Sequence, residues 1–126
     1  MADFTVFFML LAINTCLRCV EIALIDEAAG EILYEKSEIS ERNHAEKIFE
    51  FLKEALEKKS ARGSKSEMLK LDKILVVTGP GAFTSVRVGV VTANTIAFAL
   101  RAEGRDSNLY AINLTTLFAQ EEENLS

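Results

Sequence analysis

The stretch ILVVTGPGAFTSVRVG, residues 74–89, decides the fold of this chain. Its first four residues are apolar and mostly β-branched, which is typical of a buried strand. Gly79, Pro80 and Gly81 then predict a tight turn, because glycine tolerates backbone angles that other residues avoid. Residues 86–102 are good helix formers with few breakers. The order strand, glycine turn, helix predicts an α/β unit with the helix packed on a sheet.

The residues before this stretch predict more of the same sheet. Residues 5–15 are a long apolar run, which favours a central strand buried on both faces. Apolar residues resume at 20–25, and a turn at 26–30 leads to a further short strand at 32–34. Consecutive strands with short connections predict a three-strand antiparallel meander at the start of the chain.

Two further helices and one further strand are predicted. Asn43 followed three residues later by Glu46 resembles a capping box, and it predicts a helix over 44–58. Apolar residues recur in this helix at helical spacing: Ala45, Ile48, Phe49, Leu52 and Leu56. Residues 59–68 lack that spacing and predict a loop. Residues 109–114 predict a strand, and Thr115 or Thr116 is placed to cap a last helix that ends at 121–123.

Length and composition limit the classes of protein. The chain has 126 residues, of which 49% are hydrophobic and 26% charged, so we expect one folded domain. A formal net charge of −5 disfavours direct nucleic-acid binding, and the basic residues between 53 and 73 alternate with acidic ones. The longest apolar run, 4–13, is half the length that spans a bilayer and follows no basic cluster. We therefore expect no signal peptide, no membrane helix and a cytoplasmic location.

The glycine turn has two interpretations. In the first it is a tight structural turn between a strand and a helix. In the second, Thr84 or Ser85 caps the helix, whose first N–H groups receive a phosphate or carboxylate, with Arg87 as a further partner of that anion. The stretch matches neither a P-loop nor a dinucleotide fingerprint.

A stripe of small residues follows the turn. Gly89, Ala93 and Ala97 recur every four residues, and the larger apolar residues around them would bury the opposite side of the helix on the sheet: Val90, Val91, Ile96 and Leu100. The stripe would therefore admit the close approach of another helix. That helix belongs either to a partner chain or to the same domain.

Few residues in the sequence are suited to catalysis or to metal binding. Cys16 and Cys19 have the spacing of half a zinc or redox site, but they lie in a predicted hairpin and have no second cysteine pair. His44, the only histidine, is expected to be a partly exposed residue at a helix start. No nucleophile and base can be paired. The residues favour a binding or assembly protein without a metal or cofactor.

The glycine turn also carries a resemblance to a known family. Residues 78–89, with 92–100, are similar to the GPGSFTGLRIG…A…GLA segment of the TsaB (YeaZ-like) family. Four further segments resemble that family in order: 11–15 its LAIDT, 21–24 its SVAL strand, 43–46 its HSE helix start and 110–117 its GVSSL. The resemblance extends over nearly the whole chain but over only the amino-terminal half of a usual member.

The resemblance implies a fold and a function. The fold is an actin-like, ribonuclease-H-like domain of the ASKHA superfamily, so residues 1–126 are expected to be a single amino-terminal domain with the family's second domain absent. The function implied is that of a non-catalytic subunit that pairs with TsaD in threonylcarbamoylation of adenosine 37 of tRNA. A TsaE-like ATPase would join through that complex. A homodimer through the same apolar face is the alternative assembly.

The resemblance also assigns residues. The implied partner interface comprises Val86, Gly89, Val90, Ala93, Ala97, His44 and Ile48. The possible anion or nucleotide site, predicted above from the glycine turn, comprises Gly79, Gly81, Thr84, Ser85 and Arg87, and the resemblance adds Asn14 to it. Three departures weaken nucleotide and metal binding. Asn14 replaces the family's aspartate, Ser85 replaces a glycine, and a lone His44 cannot supply the metal-binding histidine pair of the related catalytic subunit.

Overall fold

The computed structural model describes residues 9–16, 18–39, 43–60, 71–80, 83–102 and 108–113, with 104 and 115. Its elements, in chain order, are β1 (Met9–Asn14), β2 (Cys19–Asp26), β3 (Glu31–Ile39), α1 (His44–Ser60), β4 (Leu71–Gly79), α2 (Phe83–Ala102) and β5 (Asn108–Asn113). The predicted strands and the two main helices are all present. Residues 61–68 of the predicted loop and 116–123 of the predicted last helix lie outside the described residues.

The strands form one mixed sheet in the order β3-β2-β1-β4-β5. β1 pairs antiparallel with β2, and β2 pairs antiparallel with β3, which confirms the predicted meander. β4 pairs parallel with β1, and β5 pairs parallel with β4. Each parallel step needs a crossover connection, and α2 makes the crossover between β4 and β5. The predicted mixed sheet with packed helices is confirmed.

Burial alternates along β1, the central strand. Met9, Leu11 and Ile13 are buried, whereas Leu10 and Ala12 are half-buried. The buried residues belong to one core cluster that also contains the inner residues of both helices. α1 and α2 therefore pack on the same face of the sheet. The prediction of a strand buried on both faces is wrong for the residues described: Leu10 and Ala12 are only half-buried, because α1 and α2 both pack on the face of Leu11.

α1 begins as predicted and runs two residues further. The Lys47 N–H donates to the Asn43 C=O at 3.0 Å, so Asn43 occupies the position before the helix. The buried face comprises His44, Ile48, Phe51 and Ala55. Phe49, predicted to face inwards, is 73% exposed. The inner stripe starts at His44 and continues with residues spaced four, three and four apart, and Phe49 lies outside it.

Polar contacts attach α1 to β3. The Tyr34 hydroxyl donates to Glu54 Oε2 at 2.8 Å, and the Lys36 ammonium lies 3.3 Å from the same oxygen. The Lys36 Nζ also lies 5.1 Å from the centre of the Phe51 ring, within reach of a cation–π contact. Burial and the neighbouring Glu54 carboxylate both raise the pKa of Tyr34, so this hydroxyl stays a donor.

No helix in the described part of the chain is long and apolar enough to cross a membrane.

Candidate partner-binding surface beside the glycine turn

The glycine turn leaves the carboxyl end of β4. Gly79 has φ of +148°, a conformation that favours glycine, and the Gly79–Pro80 peptide bond is cis. The Thr78 hydroxyl donates to the Ile112 C=O at 3.2 Å, which attaches the end of β4 to β5. Gly81, the second glycine of the predicted anion site, lies outside the described residues.

The first turn of α2 is held by the residue that follows β1. Thr15 has no exposed surface, and its hydroxyl donates to the Ser85 C=O at 2.5 Å. Ser85 is itself buried, whereas Thr84 and Arg87 are exposed. The structure therefore brings the start of α2 to the end of the sheet where β1 ends. Anion binding by this turn stays a prediction.

Asn14, which resemblance placed in the possible nucleotide site, is engaged with its own neighbours. Its Nδ2 donates to Glu21 Oε1 at 3.2 Å, and its Oδ1 accepts the Cys16 N–H at 2.9 Å. In the described part of the chain, no three side chains of His, Cys, Asp or Glu lie together so as to hold a metal ion.

Gly89 lets α2 lie unusually close to the sheet. A Cβ added at this position would lie 2.6 Å from Thr15 Oγ1 and 3.4 Å from Thr15 Cγ2. Thr15 cannot move away cheaply, because it is fully buried and its hydroxyl is bonded to Ser85. The close packing of α2 on β1 therefore depends on glycine at position 89.

We expect Gly89→Ala to lower the free energy of unfolding by about 1–3 kcal/mol, because overpacking outweighs the roughly 1 kcal/mol gain in helix propensity. In a Thr15→Ala background the same change is expected to be neutral or stabilising. The new Cβ would then lie 3.6 Å from the remaining Cβ of residue 15, an ordinary contact. Urea unfolding of the two single variants and the double variant measures this coupling. Equal effects of Gly89→Ala in both backgrounds would contradict the assigned contact.

The small-residue stripe of α2 faces the sheet. Ala93 has no exposed surface, Ala97 is 3% exposed, and Gly89 is buried. The prediction that these residues form an open face for a helix of a partner chain is wrong, because they are buried within this chain. The physical reason is the Thr15 contact, since only small side chains let the helix approach β1 and β4. Ile96 and Leu100 are buried, as predicted, whereas Val91, predicted to be buried, is 55% exposed.

The other predicted interface residues are also not on the open surface. His44 and Ile48 are buried on the inner face of α1. The His44 ring, expected to be partly exposed, is 9% exposed, and its Nε2 has no hydrogen-bond partner. Val86 and Val90 are half-buried. Their burial within this chain leaves little surface of these residues for a partner.

Larger apolar residues occupy the outer faces of the two helices. Phe98 is 75% exposed, and Val91 lies two turns before it on the same side of α2. Phe49 is the corresponding exposed residue of α1. We call Phe49, Val91 and Phe98 the outer apolar surface. Beside it, an open groove of about 440 Å³ runs between α2 and β5 and is lined by Asn94, Thr95, Ala97, Phe98, Arg101 and Leu109.

Comparison with known proteins identifies the family. The family model of TsaD, described as tRNA N6-adenosine threonylcarbamoyltransferase, matches residues 30–119. The chain belongs to the TsaD family. No curated protein matches it at a significant level. The matched residues extend from the end of the β2–β3 turn to beyond β5, so they include both helices and the glycine turn.

Within this family, the chain is similar to solved YeaZ structures. YeaZ from Pseudomonas aeruginosa has 27% identity over 84% of this chain, with a TM-score of 0.68. A second Pseudomonas aeruginosa structure, described by its similarity to peptidase YeaZ, has the same identity and TM-score. The match covers 44% of the first relative's length and 43% of the second's. The TsaD-family domain and these neighbours support membership of the YeaZ (TsaB) group, as the sequence motifs predicted.

Proposed function

We propose that this chain is a non-catalytic assembly subunit that pairs with a TsaD-like protein and thereby supports threonylcarbamoylation of adenosine 37 in tRNA. The observation that carries the proposal is the outer apolar surface. Both helices already bury one face in the core, yet they leave two phenylalanines about three-quarters exposed. Exposed aromatic side chains are enriched at protein interfaces, and outside an interface they lower the solubility of a protein.

The chemistry of the described residues supports a role without catalysis. Burial raises the pKa of the Cys16 thiol, and burial together with Glu21 raises that of Cys19 to about 12. Neither thiol is a ready nucleophile at neutral pH. The only histidine in the sequence is His44, and its buried Nε2 has no hydrogen-bond partner among the described residues, so no nucleophile is paired with that nitrogen there. An assembly role requires none of these groups to react.

Net charge supports pairing with a protein in preference to direct tRNA binding. The formal charge of −5 repels a phosphate backbone. A partner that contacts the tRNA would therefore supply the basic surface, and this chain would supply the apolar one. A TsaE-like ATPase would associate through the complex.

Co-expression with the TsaD-like protein of the same genome tests the proposal. Size exclusion with light scattering is expected to show a one-to-one complex of the full chains. The complex is then expected to modify tRNA faster, with a TsaE-like ATPase present, than the TsaD-like protein does without this chain. Two separate peaks would refute the pairing, and a homodimer of this chain in that mixture would favour the alternative assembly.

A further inference from the structure

The turn between β1 and β2 begins and ends with a cysteine. The Cys19 N–H donates to the Cys16 C=O at 3.3 Å, and Arg18 has φ of +58°, in the left-handed region. A turn closed by a hydrogen bond between its first and fourth residues holds their Cα atoms within about 7 Å. Disulfides join Cα atoms roughly 4.4–6.8 Å apart. The backbone of this turn therefore already has the span that a disulfide requires.

The two thiols have different neighbours at the same end of the sheet. The Cys19 Sγ lies 2.9 Å from the Cys16 carbonyl oxygen and 3.0 Å from Glu21 Oε1. Cys16 contributes to the raised pKa of Cys19 through charge repulsion, as groups close together do. The Cys16 Sγ lies 3.7 Å from the Val77 carbonyl oxygen. Both sulfur atoms lie at the end of the sheet where β1 ends, with the Cys16 Sγ towards β4 and the Cys19 Sγ towards β2. The two side chains therefore rotate towards each other when a disulfide forms.

The two cysteines differ in access to solvent. Cys16 has no exposed surface, whereas Cys19 is partly exposed. An external reagent therefore meets Cys19 first, and Cys16 is the second thiol within the turn. Neither cysteine has the low pKa of a catalytic dithiol. Because the thiolate is the attacking form, we expect exchange between these cysteines and an external disulfide to be slow.

We propose that Cys16 and Cys19 form an intramolecular disulfide by exchange with small-molecule disulfides, so that the β1–β2 turn exists in an open dithiol form and a covalently closed form. In the first step the Cys19 thiolate attacks one sulfur of the external disulfide. A mixed disulfide forms and one thiolate leaves. The Cys16 thiolate then attacks the Cys19 sulfur and releases the second thiolate. Two protein thiols are oxidised, one external disulfide is reduced to two thiols, and the two protons pass to the leaving groups.

The closed form has a structural consequence beyond the turn. Thr15, next to Cys16, donates to the Ser85 C=O and lies under Gly89. Thr15 therefore connects the start of the turn to the first two turns of α2. A cross-link here lowers the conformational entropy of the unfolded chain and restrains the backbone next to Thr15, which contacts this helix. Oxidation is expected to raise the thermal midpoint by a few degrees.

Intact-mass measurement of the full chain tests the proposal. The folded chain is incubated with oxidised glutathione above neutral pH and then denatured in excess N-ethylmaleimide. Mass spectrometry then measures its intact mass. We expect a species two hydrogens lighter than the reduced chain, without glutathione and without maleimide. A chain that takes up maleimide at both cysteines would overturn the proposal. So would stable glutathione on Cys19 with a free Cys16, or a disulfide-linked dimer.

Two variants assign the order of the steps. Cys16→Ser retains the exposed thiol and is expected to stop at the glutathione adduct. Cys19→Ser retains only the buried thiol and is expected to stay unmodified while folded. Glutathione on Cys16 at the same rate as on Cys19 would overturn the assigned order. Circular dichroism checks that each variant is folded, and the wild-type mass result stands without them.

Discussion

Replacing Ala93 with glutamate is expected to unfold the chain at room temperature, with a loss of about 4 kcal/mol or more in the free energy of unfolding. Ala93 has no exposed surface and belongs to the core cluster between α2 and the sheet. The contact of Gly89 with Thr15 holds the helix close at this point, so a longer side chain has no room. A carboxylate buried there also loses its hydration without gaining a partner of opposite charge.

Ala99→Glu provides the matched control, because it is the same substitution on an exposed position of the same helix. It is expected to change the free energy of unfolding by about 0.5 kcal/mol or less. Circular dichroism during urea unfolding compares the two variants. A folded Ala93→Glu chain of near wild-type stability would mean that the small-residue stripe of α2 does not pack on the sheet.

Phe98→Glu is expected to weaken pairing with the TsaD-like protein about 30-fold or more while the fold persists, which is the effect of removing a typical interface hot spot. Phe98 is 75% exposed, so the monomer loses little buried area when the ring is removed. In a complex the new charge would be buried against an apolar partner surface. Titration of labelled chain with the partner gives the dissociation constant, and a thermal melt confirms the fold.

Ile39→Glu is the control for this prediction. Ile39 is 84% exposed and lies at the end of β3, which β2 and β1 separate from β4 and β5 in the sheet. Its replacement is expected to leave the dissociation constant within about twofold, as for a residue outside the interface. If Ile39→Glu weakened pairing as much as Phe98→Glu does, the partner would contact the β3 edge and the assignment to the helix faces would be wrong.

Much of the fold was predictable because its signals are local. The apolar run at 20–25 in β2, the capping pattern at Asn43 and the glycine turn after β4 each depend on a few consecutive residues. Strand bounds were less accurate. β3 was predicted to end at Tyr34 but extends to Ile39, and its last residues are mostly exposed. An edge strand can continue past its apolar residues because backbone pairing with β2 stabilises it.

The candidate site was less predictable, because α2 is apolar on more than one side. Its pattern allows either the stripe of Gly89, Ala93 and Ala97 or the stripe of Val91 and Phe98 to face the sheet. Larger residues are the usual choice for a core, and the prediction that they are buried is correct for Ile96 and Leu100 but wrong for Val91. No local pattern reveals that Thr15, seventy positions away from Ser85 in sequence, occupies the space above Gly89.

The local sequence alone determined the order of strands and helices, the meander, the glycine turn and the family. These follow from periodicity, capping and turn residues, which act within a few positions of the chain. Tertiary structure alone decided which side of each helix is open and which cysteine is accessible. Those properties depend on the distance between α2 and β1, and that distance is set by contacts between residues far apart in sequence.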